Sequence, residues 1–160
     1  MNDLQFAINN ASFSPDRKYR YALWRIWDNL PKIMFVGLNP STANETMNDP
    51  TIRRCISFAK DWGYGGIYMC NLFAYISTDP KAVIAQPDPI GPDNDRVLKL
   101  INKNCKVTVA AWGAFSIAHQ RSKEVFELLP PLMCLGITKN GYPKHPLYLS
   151  KNTQLQEYRL

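Results

Sequence analysis

Two asparagines stand directly at the ends of short apolar runs, where their amides could bind a small ligand. Asn39 ends the run that begins at Lys32, and Asn71 ends the run that begins at Gly66. A carboxamide both donates and accepts hydrogen bonds, so Asn39 could hold a water molecule or a substrate carbonyl. Asparagine also shapes turns, which explains Asn39 before Pro40 equally well. Two asparagines in successive units favour a site more than either residue alone.

A histidine is held in a stiff loop after the last apolar run. His145 lies between Pro143 and Pro146, and prolines reduce the entropy cost of fixing a side chain. Such a histidine can act as a general acid or donate a hydrogen bond to developing negative charge. An exposed loop histidine fits the same residues, so both interpretations stay open. The other histidine, His119, is expected to be structural.

The segment that begins at Asp49 combines a helix start with positive charge. Asp49 is a favourable N-cap, and Pro50 suits the first helical position. A helix N-terminus with the nearby Arg53 and Arg54 could bind phosphate, although these arginines also fit a solvated helix face. Aromatic residues near the ends of the runs could stack on a planar ligand or simply pack. The further predicted ligand contacts are Asn71, Pro40, Ser41, Thr42, Thr51, Phe73, Trp112 and Gly113.

Strands alternating with helices are needed to bring these residues together. Four apolar runs are typical of strands buried on both faces, and they cover residues 32–39, 66–71, 105–112 and 132–137. Helical spacing between them predicts helices from Asp49 to about Gly63, from Pro92, and from about Ala114 to Leu129. This alternation predicts a parallel sheet with helices on both faces and ligands bound beyond the carboxyl ends of the strands.

The segment before the first run predicts a β-hairpin. Ser14 and Asp16 flank Pro15 in a turn, and alternating apolar residues follow over 19–28. Residues 80–92 are rich in proline and aspartate and predict a long loop. We expect one domain over residues 1–160.

Composition is that of a globular protein. Hydrophobic residues make up 46% and charged residues 20% of the 160 residues, and the net charge is +6. A basic surface is compatible with a phosphate-bearing partner. No apolar run reaches the roughly 18 residues that span a bilayer, and no signal peptide is predicted in residues 1–11. We therefore expect a cytoplasmic protein without membrane contact.

The four cysteines are far apart, so no metal or cofactor is predicted. None of them forms a C-x-x-C pair, and reduced, buried thiols are expected. The chain also lacks the P-loop, the G-x-G-x-x-G fingerprint, the G-x-S-x-G elbow and the H-E-x-x-H motif. These absences disfavour the common nucleoside triphosphatases, dinucleotide enzymes, serine hydrolases and zinc proteases.

A set of short motifs resembles a family of small bacterial and phage proteins of unknown function. The motifs extend over nearly the whole chain, and the family brings no known activity. They are Leu38-Asn-Pro-Ser-Thr-Ala43, Asp49-Pro-Thr-Ile-Arg-Arg54, Asn71-Leu-Phe-Ala74, Thr78-Asp-Pro80, Trp112-Gly113 and His145-Pro-Leu-Tyr-Leu149.

The order of motifs also resembles, more distantly, the uracil-DNA glycosylase superfamily. The motif ending in Asn39 matches the one that positions the attacking water, and Asn71 matches the asparagine that contacts the pyrimidine edge. His145 matches the histidine that stabilises the departing base. The resemblance implies a three-layer α/β/α fold with a central four-stranded, mainly parallel sheet, to which this chain adds an N-terminal hairpin. In the late loop the chain has Leu147 and Leu149 as candidates for the residue that wedges into DNA.

The residues and the resemblance together favour a nucleobase-directed, glycosylase-like hydrolase acting on nucleic acid or a nucleotide. Asn39 and His145 would be catalytic, Asn71 would contact the base, and Arg53 and Arg54 would meet phosphate. Two alternatives stay open: a non-catalytic nucleic-acid or nucleotide binding module on the same fold, and a hydrolase for another small substrate with Asp49 as general base. The sequence leaves the oligomeric state and the substrate open.

Overall fold

The apolar runs form the centre of a seven-stranded mixed sheet in a computed structural model that describes residues 8–159. The strands are β1 (Ile8–Phe13), β2 (Arg20–Ile26), β3 (Lys32–Gly37), β4 (Gly66–Asn71), β5 (Val107–Ala110), β6 (Met133–Cys134) and β7 (Gln156–Glu157). The helices are α1 (Pro50–Asp61), α2 (Pro80–Ile84), α3 (Asn94–Asn104) and α4 (His119–Leu128). The predicted α/β class is confirmed.

The sheet is larger than the four strands predicted. Its order is β1-β2-β4-β3-β5-β6-β7, and β3 pairs in parallel with both β4 and β5. The predicted hairpin of β1 and β2 joins the same sheet, because β2 pairs antiparallel with β4. At the other edge, the short β7 pairs antiparallel with β6. The hairpin was predicted but its pairing with β4 was not, since a hairpin pattern does not show which strand it will pair with, and β7 was not predicted.

Alternate residues of β3 face two separate cores. Ile33 and Phe35 belong to the core under α1, whereas Met34 and Val36 belong to the core under α3 and α4. Side chains of a strand alternate between its faces, so a strand covered on both sides is apolar throughout. Helices pack on both faces for this reason.

The aspartate–proline pairs start two helices. Oδ1 of Asp49 accepts a hydrogen bond of 2.8 Å from the amide of Ile52 at the start of α1. Oδ1 of Asp79 accepts one of 3.0 Å from the amide of Lys81, and α2 follows. The prediction of a loop over residues 80–92 was therefore wrong for its first five residues, because Asp79 and Pro80 repeat the signature of Asp49 and Pro50. A 3₁₀ turn over residues 116–118 precedes α4, which begins later than predicted.

The described part of the chain contains no helix long and apolar enough to cross a membrane. Residues 1–7, part of the segment in which no signal peptide was predicted, lie outside it. The four cysteines are free thiols, and residues 8–159 contain no group of three or more histidine, cysteine or acidic side chains placed to hold a metal.

Candidate functional site

A cleft of about 200 Å³ lies beyond the carboxyl ends of β3 and β4, and Asn39, Asn71 and His145 all line it. The two asparagines reach it because β3 and β4 are parallel neighbours with Gly37 paired to Asn71. His145 reaches it from the loop after β6. Typical small-molecule sites measure roughly 300–1,000 Å³, so this cleft suits one small ring or one ionic group.

The amide of Asn39 has a fixed orientation. Its Nδ2 donates to the carbonyl oxygens of Pro40 at 3.0 Å and Ser77 at 2.8 Å. Two carbonyl partners can be satisfied only by the amide nitrogen, so Oδ1 faces away from them. Oδ1 makes no hydrogen bond within the described residues, and Asn39 therefore offers the cleft an acceptor.

The amide of Asn71 is buried and incomplete. Only 2% of the residue is exposed, and its Nδ2 has no hydrogen-bond partner within the described residues. A buried amide nitrogen is almost always paired in folded proteins, because the loss of water is otherwise uncompensated. Asn71 lines the cleft, so its unpaired nitrogen can donate a hydrogen bond to a bound group.

His145 is a neutral hydrogen-bond donor. Its Nδ1 accepts a hydrogen bond of 3.2 Å from the backbone amide of Leu147, which leaves the proton of the neutral ring on Nε2. Burial lowers the pKa of His145 below its usual 6.5, and the charge of Asp49 opposes this shift. The ring is therefore uncharged at neutral pH, and Nε2 makes no hydrogen bond within the described residues.

The first turn of α1 forms one wall of the cleft. Asp49 and Thr51 line it together with Ile52. Oδ1 of Asp49 caps the helix, and its other carboxylate oxygen makes no hydrogen bond within residues 8–159. The cleft thus contains one carboxylate with a free oxygen.

Arg20 is a cleft residue that sequence reasoning missed. It is 3% exposed at the start of β2, and because β2 is antiparallel to β4 its amino end meets the carboxyl end of β4. Nη1 donates to the carbonyl of Ala43 at 3.0 Å, whereas the buried Nε has no partner. Burial lowers the pKa of Arg20 to about 10, which leaves it charged at neutral pH. Sequence reasoning could have placed Arg20 in the cleft only if it had predicted that β2 pairs with β4.

The aromatic residue at the cleft is Phe115 and not Phe73 or Trp112. Phe73 and Trp112 are buried in the core under α3 and α4, so neither can stack on a ligand. Gly113 has a φ of +79°, and a Cβ there would lie 3.4 Å from the side chains of both His145 and Phe115. Glycine is favoured at this position by the left-handed φ, and Gly113 itself lies outside the cleft lining.

Three further predicted contacts lie outside the cleft lining. Arg53 is exposed and donates to the carbonyl of Asn48 at 3.2 Å. Arg54 lies over the ring of Phe58 and donates to the carbonyl of Leu149, so it joins α1 to the C-terminal segment. Thr42 is exposed. Pro40 and Ser41 do line the cleft, together with Ser77 and Thr78 from the loop after β4.

A larger depression of about 650 Å³ lies near the C-terminal end of α1, lined by Trp62, Lys151 and their neighbours. It lacks an unpaired buried polar group within the described residues. The smaller cleft is therefore the candidate site, since it contains the unpaired nitrogens of Arg20 and Asn71.

The fold places the chain among α/β proteins, and its candidate site is a cleft at the carboxyl ends of two parallel strands. Residues 20–147 match the family described as "Protein of unknown function (DUF1643)". Because the match covers most of the chain, the protein belongs to this family. No curated protein and no solved structure matches the chain significantly.

Proposed function

We propose that the protein is a nucleobase-directed hydrolase that cleaves an N-glycosidic bond in a nucleic acid or a nucleotide. The observation that carries this proposal is the set of open groups in one cleft: an acceptor on Asn39, a buried donor on Asn71 and a neutral donor on His145. Hydrolysis of this bond needs a bound water, recognition of the base and stabilisation of its developing charge.

Each group suits one part of the reaction. Oδ1 of Asn39 accepts a hydrogen bond from a water molecule, whose oxygen forms a bond to the anomeric carbon of the sugar. The C–N bond breaks, and its electron pair stays on the base nitrogen. Nε2 of His145 donates a hydrogen bond to the base carbonyl, where negative charge accumulates. The water passes one proton to the free oxygen of Asp49 or to solvent, and the base takes up one proton, so one water is consumed.

The amide of Asn71 suits recognition of a base edge. Its nitrogen can donate to a carbonyl of a pyrimidine, and its oxygen can accept from the adjacent N–H of the same ring. Phe115 at the mouth of the cleft offers a ring for stacking. We further propose the fold of the uracil-DNA glycosylase superfamily, which the motif order Asn39, Asn71, Trp112-Gly113 and His145 supports.

The test is release of base from uracil-containing DNA, mismatch-containing DNA and uridine 5′-monophosphate. We expect Asn39→Ala and His145→Ala to abolish release but to leave substrate binding within a few-fold of the wild type. Asn140→Ala, at an exposed loop position, is the matched control and should behave as the wild type. Binding of DNA without any product would instead favour a non-catalytic module.

A second candidate is a hydrolase for another small substrate with Asp49 as general base, favoured by the free carboxylate oxygen in the cleft. In that case Asp49→Asn would abolish turnover of the substrate, whereas His145→Ala would not. The N-cap survives this substitution because asparagine caps helices as well as aspartate does.

A further inference from the structure

Three arginines are buried within the described residues, and in two of them every side-chain nitrogen has a protein partner. All three nitrogens of Arg121 are paired, with the carbonyl of Leu72 and the carboxylates of Glu124 and Asp95. All three nitrogens of Arg25 are also paired, with the side chain of Asn48 and four backbone carbonyls. A buried guanidinium is normally held in this way, because desolvation of an unpaired charge is costly.

Arg20 differs from both. Only Nη1 has a partner within the described residues, and Nε is buried and unpaired. No carboxylate of residues 8–159 lies within 4.0 Å of its guanidinium. Asp49 shares the cleft, but it lies beyond that distance and its Oδ1 is committed to the amide of Ile52. The positive charge at the floor of the cleft is therefore not neutralised by direct contact.

A second open donor lies in the same cleft. Nδ2 of Asn71 is buried and unpaired, and the hydroxyl-bearing Ser41 and Thr51 line the walls. A guanidinium fork presents two parallel N–H groups that match the oxygens of a phosphate or carboxylate. An oxyanion would satisfy both the charge and the open Nε–H of Arg20, whereas a neutral acceptor is enough for Nδ2 of Asn71.

We propose that the cleft binds an oxyanion, a phosphate or carboxylate group of the ligand, directly on the guanidinium of Arg20. The positive charge is thus supplied by β2 and not by Arg53 and Arg54, which lie outside the cleft lining. This inference goes beyond the proposed function and does not depend on it, because anion binding requires no turnover.

Side-chain NMR on the full chain tests the site directly. Inorganic phosphate and, separately, acetate are titrated into ¹⁵N-labelled protein at constant ionic strength, with chloride as the reference anion. We expect the Arg20 Nε–H resonance to shift in a saturable manner with at least one of the two anions. Phosphate and acetate together distinguish a phosphate ligand from a carboxylate ligand, and saturation by either supports the site. An unmoved Arg20 Nε–H at high concentrations of both overturns it.

Two matched variants separate the site from general surface charge. Arg20→Lys keeps the charge but removes the fork, and it should weaken anion binding about tenfold or more. Arg53→Gln removes an exposed charge from α1 and should leave binding unchanged. Equal weakening in both variants would overturn the proposal. Should Arg20→Lys fail to fold, the wild-type Nε–H titration, assigned through bonds from the Arg20 backbone, still decides the question.

Base release is measured separately on the same samples. Anion binding without base release refutes the proposed function and leaves the Arg20 site intact. Base release with an unmoved Arg20 resonance refutes the Arg20 site and supports the proposed function. The two failures are therefore distinguishable.

Discussion

Gly37 lies directly against the carboxamide of Asn71. A Cβ at Gly37 would come within 2.8 Å of Oδ1 of Asn71 and within 2.8 Å of Cε of Met69. Glycine at the end of β3 therefore lets the Asn71 amide occupy the floor of the cleft. Glycine is needed at this position for lack of space and not for its backbone conformation, because the φ of Gly37 is not left-handed.

Gly37→Ala should displace the Asn71 amide and weaken ligand binding about tenfold, a loss of about 1.4 kcal/mol. The measurement is the Kd of uridine 5′-monophosphate by calorimetry. Asn140→Ala is the control, because this exposed residue lies outside the cleft lining and should bind as the wild type does. Wild-type affinity in Gly37→Ala would show that the position of Asn71 is unimportant.

Asn39→Asp tests the orientation of the Asn39 amide. In the wild type the carbonyls of Pro40 and Ser77 accept hydrogen bonds from Nδ2 of Asn39. The variant places a carboxylate oxygen against them instead. Repulsion should raise the folded-state pKa of the new carboxyl above its unfolded value of roughly 3.9, because only the protonated form can donate. Stability is then lost as pH rises through that pKa, and we expect a deficit of about 1–3 kcal/mol at pH 7 that shrinks near pH 4.

Urea denaturation at the two pH values measures this deficit. Asn140→Asp, at an exposed turn, makes the same chemical change without carbonyl partners and should show little dependence on pH. A flat difference between Asn39→Asp and the wild type would mean that the amide is oriented the other way.

His145 should remain a neutral donor to a lower pH than an ordinary histidine. Burial lowers its pKa below 6.5, and protonation of Nδ1 would remove the hydrogen bond that orients the ring, so base release should decline only at a lower pH than for an ordinary histidine. The unfolded chain binds more protons at this group than the folded chain, so its contribution to stability also falls as pH drops below 6.5. His145→Gln should slow release by roughly 10²–10³-fold and abolish the decline assigned to His145.

Asp49→Asn provides the matched comparison, because the Asp49 carboxylate favours the protonated imidazole. Its removal should shift the ¹⁵N titration of His145 to still lower pH. A shift to higher pH would contradict the arrangement of the two side chains.

Tyr148 is the residue that best distinguishes nucleic acid from nucleotide substrates. It is 99% exposed with a left-handed φ of 69°, next to the surface formed by Phe115, His145 and Leu147. We expect Tyr148→Ala to weaken binding of single-stranded DNA, since stacking contributes roughly 1–3 kcal/mol per base, and to leave uridine 5′-monophosphate binding unchanged.

Tyr148→Gly should weaken DNA binding as well, yet stabilise the fold by about 1 kcal/mol, because glycine adopts this φ without strain. Tyr148→Phe keeps the ring and should retain DNA affinity. Equal DNA affinities for all three variants would favour a nucleotide as the substrate.

The sequence predicted the strands that carry Asn39 and Asn71 because a strand covered on both faces is apolar throughout and stops abruptly at a polar residue. Parallel pairing of such strands then brings their ends together. His145 could be placed at the same edge because it follows another apolar run. Each of these predictions rests on a local sequence pattern, an apolar run that ends at a polar residue, which is typical of a buried parallel strand.

Arg20 and Phe115 could not be found in the same way. Arg20 is the first residue of β2, whose sequence pattern does not show which strand it pairs with, so the position of Arg20 depends on the pairing of β2 with β4. Arg53 and Arg54 were predicted to meet phosphate from their proximity to a helix start, but at that start the charge of Asp49 and not theirs faces the cleft. Phe73 and Trp112 were predicted as stacking residues, whereas an aromatic side chain at a strand end packs inward when a core is available.

The antiparallel placement of β2 has a consequence for how the protein folds. The cleft draws on residues from Arg20 to His145, so nearly the whole chain must be in place before any ligand can bind. Such long-range closure is slow to form and cannot be reproduced by a fragment. A bound ligand would therefore raise the free energy of unfolding of the whole domain. Amides distant from the cleft, such as those of β5, would then exchange hydrogen more slowly, as would the amides of the cleft.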